Sequence, residues 1–314
     1  MSRLARHFFR LLALLVCVAF APTVDARALV VISEANAMYY RFVSALGDAL
    51  VVPGGINVRT ALQQSRMAQL GDFEVLVVVG VRAAKAVAKY QKTPPRVLYA
   101  MIPQRSYAWL ERHAQLLSPP QLQVLYLNQP PQRYLHLCQA LLVAGSTVGI
   151  VYSELSKKLA LAISRLAEAT SLRVTLEAVA EGEKMIPHVK AVLRRSDALL
   201  VLPDAKIYNE RTIKAVLLNA FRADKPLLSY SASLTRSGGL AAVVVGPEEM
   251  GRQAGEILTC MLAKCDTVAV EQHWPHYFNV IVNRAIAKRI GIGVPAEADL
   301  LDQIKKMEQM VGDE

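Results

Sequence analysis

The sequence predicts an α/β protein with doubly wound parallel sheets, and two observations support this fold class. Short apolar, β-branched runs recur along the chain, with amphipathic stretches of about ten to fifteen residues between most of them. Runs such as 75–79 (VLVVV) are apolar at every position, which is typical of strands that helices cover on both faces. The length of 314 residues suits one large domain or two ordinary ones.

The β-branched runs predict nine strands, and the amphipathic stretches predict seven helices between them. The predicted strands are Ala28–Ile32, Glu74–Val79, Arg96–Ile102, Leu122–Leu127, Thr147–Tyr152, Arg173–Ala178, Ala198–Leu202, Pro226–Tyr230 and Ala241–Val245. The predicted helices are Tyr39–Leu50, Arg82–Tyr90, Tyr107–Leu117, Pro131–Val143, Ser156–Thr170, Ile186–Arg195 and Glu210–Ala223, with Ser156 as an N-cap. The segment Asn128–Pro131 (NQPP) is a strong loop signal, and a new predicted strand begins at Thr147. This pattern indicates a second α/β unit.

The N-terminus has the three parts of a secretory signal peptide, predicted here as residues 1–28. Three arginines precede the apolar run 11–21, which is too short to span a bilayer, since a span needs roughly 20 residues. Small residues then allow cleavage after Ala28, with cleavage after Ala26 as the near alternative. An uncleaved anchor is less favoured, and so is lipidation at Cys17, because Val16 precedes it. We therefore expect a mature protein that is exported across the cytoplasmic membrane.

The composition argues against nucleic-acid binding and against a metal centre. The net charge of +10 falls to +7 after removal of residues 1–28, and no Lys/Arg tract with interleaved aromatics stands out. The cysteines lack zinc-site spacing, and His273 and His276 flank Trp-Pro in a predicted loop. Cys260 and Cys265 are close enough in sequence for a small disulfide, which the sequence leaves open. We expect no cofactor, no bound metal and a monomer.

Polar residues follow the predicted strands, and in open α/β sheets ligands bind beyond the carboxyl ends of strands. The glycine before Val81 and Arg82 lets the backbone approach a ligand at a helix start, which favours an anion such as a carboxylate. Tyr39 and Tyr40 are adjacent, so at most one faces the cleft. The candidate ligand-binding residues are Ser33, Asn36, Tyr39, Gly80, Arg82 and Pro103 in the first half, and Ser153, Asp204, Tyr208 and Tyr230 in the second.

These side chains suit a small polar or zwitterionic molecule held by hydrogen bonds and aromatic packing. Catalytic motifs are missing: the chain has no Gly-x-Ser-x-Gly elbow, no Gly-x-Gly-x-x-Gly fingerprint and no P-loop. A hydrolase or transferase would need an acid/base pair at strand ends, and Glu34 with Asp204 is the one candidate pair. The sequence therefore predicts a binding protein without enzymatic activity.

Several segments of the second half resemble a family of ABC-transporter substrate-binding proteins that includes binders of tryptophan and tyrosine. The segment 202–212 (LPDAKIYNERT) is similar to the Pro-Asp…Tyr-Asn-x-x-Thr segment of that family. Further matches follow in order at 226–231 (PLLSYS), 239–242, 247–254 (PEEMGRQA), 277–283 (YFNVIVN) and 287–291. Two positions depart from the family pattern: Ser229 replaces a common glycine, and Val81 stands where Thr or Ser often follows the glycine.

The resemblance implies the type I periplasmic-binding-protein fold, with two doubly wound lobes joined by a three-crossing hinge. It places lobe one at 29–129 plus 247–276 and lobe two at 130–246 plus 277–314. It also implies a periplasmic solute-binding protein that delivers a small molecule, such as an aromatic amino acid, to an ABC permease in the inner membrane. The alternative is an exported ligand sensor or regulatory partner on the same fold that is not coupled to transport.

Overall fold

The computed structural model of the protein describes residues 27–51, 56–60, 73–88, 96–113, 121–265 and 270–312. The predicted signal peptide, apart from Arg27 and Ala28, lies outside the described residues. Within them the chain forms twelve strands and eleven helices, which we number in chain order. The strands are β1 Ala28–Ile32, β2 Ile56–Thr60, β3 Val75–Val79, β4 Arg96–Ile102, β5 Gln121–Tyr126, β6 Thr147–Tyr152, β7 Arg173–Ala178, β8 Ala198–Leu200, β9 Leu227–Ser229, β10 Ala241–Val244, β11 Val270–His273 and β12 Asn279–Val282. The helices are α1 Ala37–Asp48, α2 Val81–Val87, α3 Gln104–His113, α4 Pro131–Leu141, α5 Lys157–Ala167, α6 Met185–Arg195, α7 Ile213–Arg222, α8 Ala232–Arg236, α9 Pro247–Ala263, α10 Arg284–Arg289 and α11 Glu297–Gly312.

The strands form two six-stranded sheets, which confirms the predicted fold class. The first sheet has the order β11-β5-β4-β3-β1-β2, and all of its pairings are parallel. The second has the order β12-β10-β9-β8-β6-β7 and is parallel except for β12, which pairs antiparallel with β10. The chain passes between the sheets three times, after β5, β10 and β11.

Apolar cores cover both faces of each sheet, as a doubly wound arrangement requires. In the first sheet, α1 and α9 pack on one face and α2 and α3 on the other. In the second, α4, α5 and α11 cover one face and α6 and α7 cover the other. We call each sheet with these helices a lobe. The lobe boundaries predicted near residues 129, 247 and 276 stay predictions.

All nine predicted strands and all seven predicted helices are present, with ends that shift by a few residues. Seven described elements are not among these predicted strands and helices: β2, β11, β12, α8, α9, α10 and α11, of which β12, α9 and α10 overlap segments that resemble the family. The strand β11 (VEQH) is an edge strand with alternating exposed and half-buried residues, so it lacks the continuous apolar run of β1 or β3. The cysteines Cys138, Cys260 and Cys265 are in the thiol form, so no disulfide joins the last two.

Arg133 of α4 ties the passages between the lobes to the C-terminal helix. Its guanidinium donates to Gln129 Oε1 at 2.6 Å and to the Pro275 carbonyl at 2.7 Å, which lie on the first and third passages. It also donates to both carboxylate oxygens of Glu308 in α11, at 2.6 and 2.9 Å, and stacks 3.7 Å from the centroid of Phe278. This side chain is only 5% exposed, so its charge is neutralised within the protein.

Two glycines explain how α1 and α9 approach each other so closely. A Cβ on Gly251 would overlap the backbone carbonyl of Phe42, and a Cβ on Gly255 would lie 2.5 Å from the Leu46 carbonyl oxygen. Such overlaps with backbone atoms cannot be relieved by a change of rotamer. The Gly-x-x-x-Gly spacing places both glycines on one face of α9, where they meet the side chains of Ala45 in α1 and of Ala49, the residue that follows α1.

We predict that Gly251→Ala lowers the free energy of unfolding by about 1–2 kcal/mol, because overpacking outweighs the gain in helix propensity. The matched control is Gly47→Ala in α1, where an added Cβ would lie 3.9 Å from Ile56 Cδ1, an ordinary contact. That variant should gain up to about 1 kcal/mol from helix propensity. Urea denaturation of the three proteins checks both signs, and equal stability of Gly251→Ala and wild type would contradict the packing argument.

Candidate ligand-binding site at the carboxyl ends of the two sheets

Six of the candidate residues and Glu34 lie at the carboxyl ends of β1, β3 and β4, which are neighbours in the first sheet. We call this set the first rim, and it contains Ser33, Glu34, Asn36, Tyr39, Gly80, Arg82 and Pro103. The Ser33 hydroxyl donates to the Val79 carbonyl at 2.8 Å and accepts from the Ala83 N–H at 3.0 Å. Ser33 therefore joins the end of β3 to the start of α2 and is itself buried.

Gly80 is the point where the first rim is most crowded. Its φ of +85° favours glycine, and a Cβ there would lie 2.6 Å from Ser33 Oγ and 2.7 Å from the Tyr39 hydroxyl. The Gly80 N–H donates to the Ala100 carbonyl at 2.9 Å, which holds the turn against β4. The glycine therefore lets the Tyr39 hydroxyl reach the turn between β3 and α2. Pro103 lies farther along this edge, where its carbonyl accepts from the Tyr107 N–H at 2.9 Å as α3 begins.

The first rim exposes one ion pair, between the Glu34 carboxylate and the Arg82 guanidinium. The Arg82 side chain is 55% exposed and that of Glu34 is 46% exposed, so both groups are open to solvent. Asn36 supports this pair, because its Nδ2 donates to Glu34 Oε2 at 3.3 Å while its Oδ1 caps α1 by accepting from the Tyr39 N–H at 3.2 Å. Glu34 was not among the candidate binding residues, although it directly follows Ser33 in the sequence.

The remaining candidates lie at the carboxyl ends of β6, β8 and β9 in the second sheet. We call Ser153, Ser156, Asp204, Tyr208 and Tyr230 the second rim. One Asp204 oxygen accepts from the Ser153 N–H at 2.9 Å, the Ser153 hydroxyl at 2.7 Å and the Ser156 hydroxyl at 2.6 Å. Its other oxygen accepts from the Lys206 and Ile207 N–H groups at 3.0 and 3.3 Å. Asp204 is 2% exposed. Its hydrogen bonds to Ser153 and Ser156 connect the loop after β8 to the loop after β6.

The predicted N-cap position of Ser156 is confirmed, but its hydroxyl has a different partner. Ser156 occupies the N-cap position of α5, but its side chain makes no capping hydrogen bond. Its hydroxyl instead donates to Asp204 Oδ2, 48 residues away in sequence, because that buried carboxylate offers a charged acceptor. Burial alone would raise the pKa of Asp204, but the hydrogen bonds from Ser156, Ser153 and Ile207 outweigh burial and lower it.

The two tyrosines of the second rim differ in their exposure to solvent. The Tyr208 hydroxyl donates to the Val151 carbonyl at 3.1 Å, and burial raises the pKa of this buried side chain. Tyr230 is half-buried at the end of β9, and burial together with the nearby Asp204 carboxylate raises its pKa. The hydrogen bonds of the candidate residues thus form two separate networks, one for each rim. Arg82 and Tyr39 in the first rim and Tyr230 in the second retain accessible surface.

Three further features of the described residues concern metal binding, surface grooves and membrane spans. No group of three or more His, Cys, Asp or Glu side chains in this part of the chain could hold a metal ion. The ring of His273 instead contacts a side-chain amide, with its Nε2 2.5 Å from Gln123 Oε1. A groove of about 600 Å³ lies between α1, α9 and α11, and no residue of either rim lines it. No helix in the described ranges is long and apolar enough to cross a bilayer.

Comparison with known proteins identifies the family. A family model described as ABC transporter substrate binding protein matches residues 56–303. The chain belongs to this family. Its members bind a small molecule for a transporter and are not enzymes, which agrees with the missing catalytic motifs. No curated protein sequence matches the chain.

Three solved structures show the fold of this substrate-binding protein. A domain from Streptococcus pneumoniae in complex with L-Trp is 21% identical, with a TM-score of 0.56 over 89% of this chain and 98% of that one. A ligand-free, open substrate-binding protein with adhesive properties from Clostridium difficile is 16% identical, with a TM-score of 0.68 over 86% and 96%. A conserved domain protein from Vibrio cholerae is 17% identical, with a TM-score of 0.55 over 89% and 98%. The fold is that of the type I periplasmic binding proteins, as the resemblance implied.

We predict that Asp204→Asn lowers the free energy of unfolding by about 3 kcal/mol at neutral pH, because an amide nitrogen would face hydroxyl and N–H donors in a buried site. The folded pKa of Asp204 lies below the unfolded value, so its contribution is complete above the unfolded pKa and is lost as the pH falls through the folded pKa. The difference between wild type and variant should therefore stay constant from neutral pH to about pH 5 and shrink below about pH 4.

Urea denaturation across this pH range measures the difference. The control is Asp197→Asn, because Asp197 Oδ2 accepts from the Thr147 N–H at 2.9 Å but this side chain is 54% exposed. The control should lose less than about 1 kcal/mol. A difference between Asp204→Asn and wild type that grows as the pH falls would contradict the assignment.

Proposed function

We propose that the protein captures a small zwitterionic molecule of the amino-acid class between the two rims and delivers it to an ABC permease. The observation that carries the proposal is the exposed Glu34–Arg82 pair on the rim whose Gly80 turn also meets the Tyr39 hydroxyl. An arginine can bind a ligand carboxylate through two parallel hydrogen bonds, and a carboxylate can accept from a ligand ammonium group. A zwitterion can therefore satisfy both partners of the pair at once, whereas a neutral ligand would satisfy neither charge.

The exposure of the pair makes this exchange inexpensive in free energy. A solvent-exposed ion pair contributes only about 0–1 kcal/mol, so a ligand that replaces it loses little. In our assignment Tyr39, Arg82 and Tyr230 contact the ligand, and Glu34 joins them. Ser33, Asn36, Gly80, Pro103, Ser153, Asp204 and Tyr208 complete the proposed site by holding the rim loops in place. The L-Trp complex of the Streptococcus pneumoniae structure supports the amino-acid class.

Capture would proceed by closure of the two lobes over the ligand, as a shift of population from open to closed forms. The first rim would bind the charged groups of the ligand, and the second rim would then cover its remaining surface. Family membership supports coupling to a transporter. The signal peptide in the sequence supports a periplasmic location.

A thermal-shift screen against amino acids, nucleosides and small acids tests the ligand class. A ligand at 100 times its dissociation constant should stabilise the protein by about 2.7 kcal/mol. We expect Arg82→Ala to weaken binding of a responding amino acid by about 10- to 100-fold, since it removes a charged hydrogen-bond donor. Glu34→Gln should weaken binding of the amino acid, because it removes the acceptor for the ammonium group. It should leave binding of the deaminated analogue unchanged.

The control for this experiment is the exposed Arg252–Glu256 pair on α9, where Arg252→Ala and Glu256→Gln should leave affinity unchanged. Tyr39→Phe adds a test of the hydroxyl and should weaken binding by less than Arg82→Ala does. Undiminished affinity in both Arg82→Ala and Tyr39→Phe would overturn the site assignment. Stabilisation by neutral nucleosides alone would overturn the zwitterion class.

The contacts of Arg27 lead us to propose export with cleavage after Ala26 in place of the cleavage after Ala28 that the sequence favours. The Arg27 carbonyl accepts from the Glu74 N–H at 2.9 Å, and the Arg27 guanidinium donates to both Glu74 carboxylate oxygens. Ala28 is the first residue of β1 and is fully buried. Intact mass and N-terminal sequencing of protein from the exported fraction should give Arg27 as the first residue. An N-terminus at Leu29 would contradict this prediction.

A further inference from the structure

The net positive charge of the chain is concentrated in one segment. Residues 81–113 contain seven Lys and Arg residues and one acidic residue, Glu111, and so carry +6 of the total net charge of +10. This segment includes β4 and the two helices α2 and α3, which cover the same face of the first sheet. A local excess of this size is a physical basis for attraction to an anionic surface.

Carboxylates neutralise only some of these cations. Arg82 pairs with Glu34, and Arg96 lies 3.0 Å from a Glu74 carboxylate oxygen. Within the described ranges, Lys85, Arg105 and Arg112 have no carboxylate at ion-pair distance. Lys89 and Lys92 lie outside the described residues, and the neighbouring segments 89–95 and 114–120 contain no acidic residue. Three described cations therefore keep their charge available at the surface.

These cations surround an exposed tryptophan. Trp109 is 46% exposed, and Lys85 Nζ lies 5.2 Å from the centroid of its ring. Arg105 and Arg112 lie four residues before and three residues after Trp109, so all three share one face of α3. Glu111 lies about 100° around the helix from Arg112, and the buried Tyr107 and Leu110 mark the opposite face. We call Lys85, Arg105, Trp109 and Arg112 the cationic stripe.

We propose that the cationic stripe is a docking surface for the anionic headgroups of a lipid bilayer. Lys and Arg near an anionic leaflet contribute about 1 kcal/mol each, and a tryptophan ring favours the level of the headgroups. A single aromatic ring among long cationic side chains fits a fluid headgroup layer, because a stable protein interface needs a larger apolar centre. The Arg112 Nε donates to the Ala108 carbonyl at 3.0 Å, which leaves its other guanidinium N–H groups to meet phosphate.

This docking would place a substrate-binding protein on the membrane that holds its transporter. The stripe lies on exposed residues of α2 and α3 and shares no side chain with the first rim at the carboxyl ends of the strands. Docking and ligand binding thus use different side chains. Loss of one should leave the other intact, so the two proposals can fail separately.

Vesicle co-sedimentation tests the proposal on protein purified from the exported fraction of cells that express the full chain. We expect binding to phosphatidylcholine vesicles that contain about 30 mol% phosphatidylglycerol, weak binding without it, and release at high salt. Charge reversal in Arg105→Glu/Arg112→Glu should weaken the partition roughly 25-fold or more. The matched control is Lys190→Glu/Arg194→Glu, which makes the same charge change on exposed residues of α6.

The tryptophan content permits a second, site-specific readout. The chain has only two tryptophans, so a Trp274→Phe variant reports on Trp109 alone. Its fluorescence should shift to the blue on anionic vesicles and be quenched by lipids brominated near the headgroup. Equal loss of binding in the two charge-reversal variants, or a Trp109 emission that does not change, would overturn the proposal. Binding to the isolated transporter without any binding to vesicles would also overturn it, because the partner would then be a protein.

Discussion

The geometry between the lobes depends on the buried guanidinium of Arg133. Burial of a charged group is costly unless every partner is in place, and Arg133 has an amide oxygen, a carbonyl and a carboxylate around it. Its partners come from two of the three passages between the sheets and from the C-terminal helix α11. One side chain therefore fixes where both of these passages enter the second lobe. The closure of the two lobes that we propose depends on these fixed entry points.

The two rims differ in whether their charged groups are buried or exposed to solvent. In the second rim the Asp204 carboxylate accepts five hydrogen bonds and is sealed from water, so its loops are rigid before any ligand arrives. In the first rim the Glu34–Arg82 pair is open to solvent, and both charges can change partners. In the proposed site, a pre-ordered wall and a rim with exchangeable charges would together allow specific binding without a large cost of ordering on capture.

The sequence predicts the strands of this fold well because β1 and β3 are buried on both faces and read as unbroken apolar runs. It also predicts which residues follow the strands, since that position depends only on local pattern. It does not predict which of those side chains already have hydrogen-bond partners within the protein. Asp204 and Ser156, for example, form a hydrogen bond although 48 residues separate them in sequence. For the same reason the role of Arg133 cannot be predicted from local sequence, because its partner Glu308 lies 175 residues away.

The third passage shows where rotation between the lobes can occur. Gln253 of α9 in the first lobe donates to the Trp274 carbonyl at 3.0 Å and accepts from the His276 N–H at 2.7 Å. Arg133 of the second lobe binds the carbonyl of Pro275, the residue between them. Successive backbone groups of 274–276 are thus held alternately by the two lobes. A sliding motion would break both sets of bonds, whereas rotation about this segment keeps them. The closure that a substrate-binding protein needs is therefore best accommodated as a hinge about Pro275.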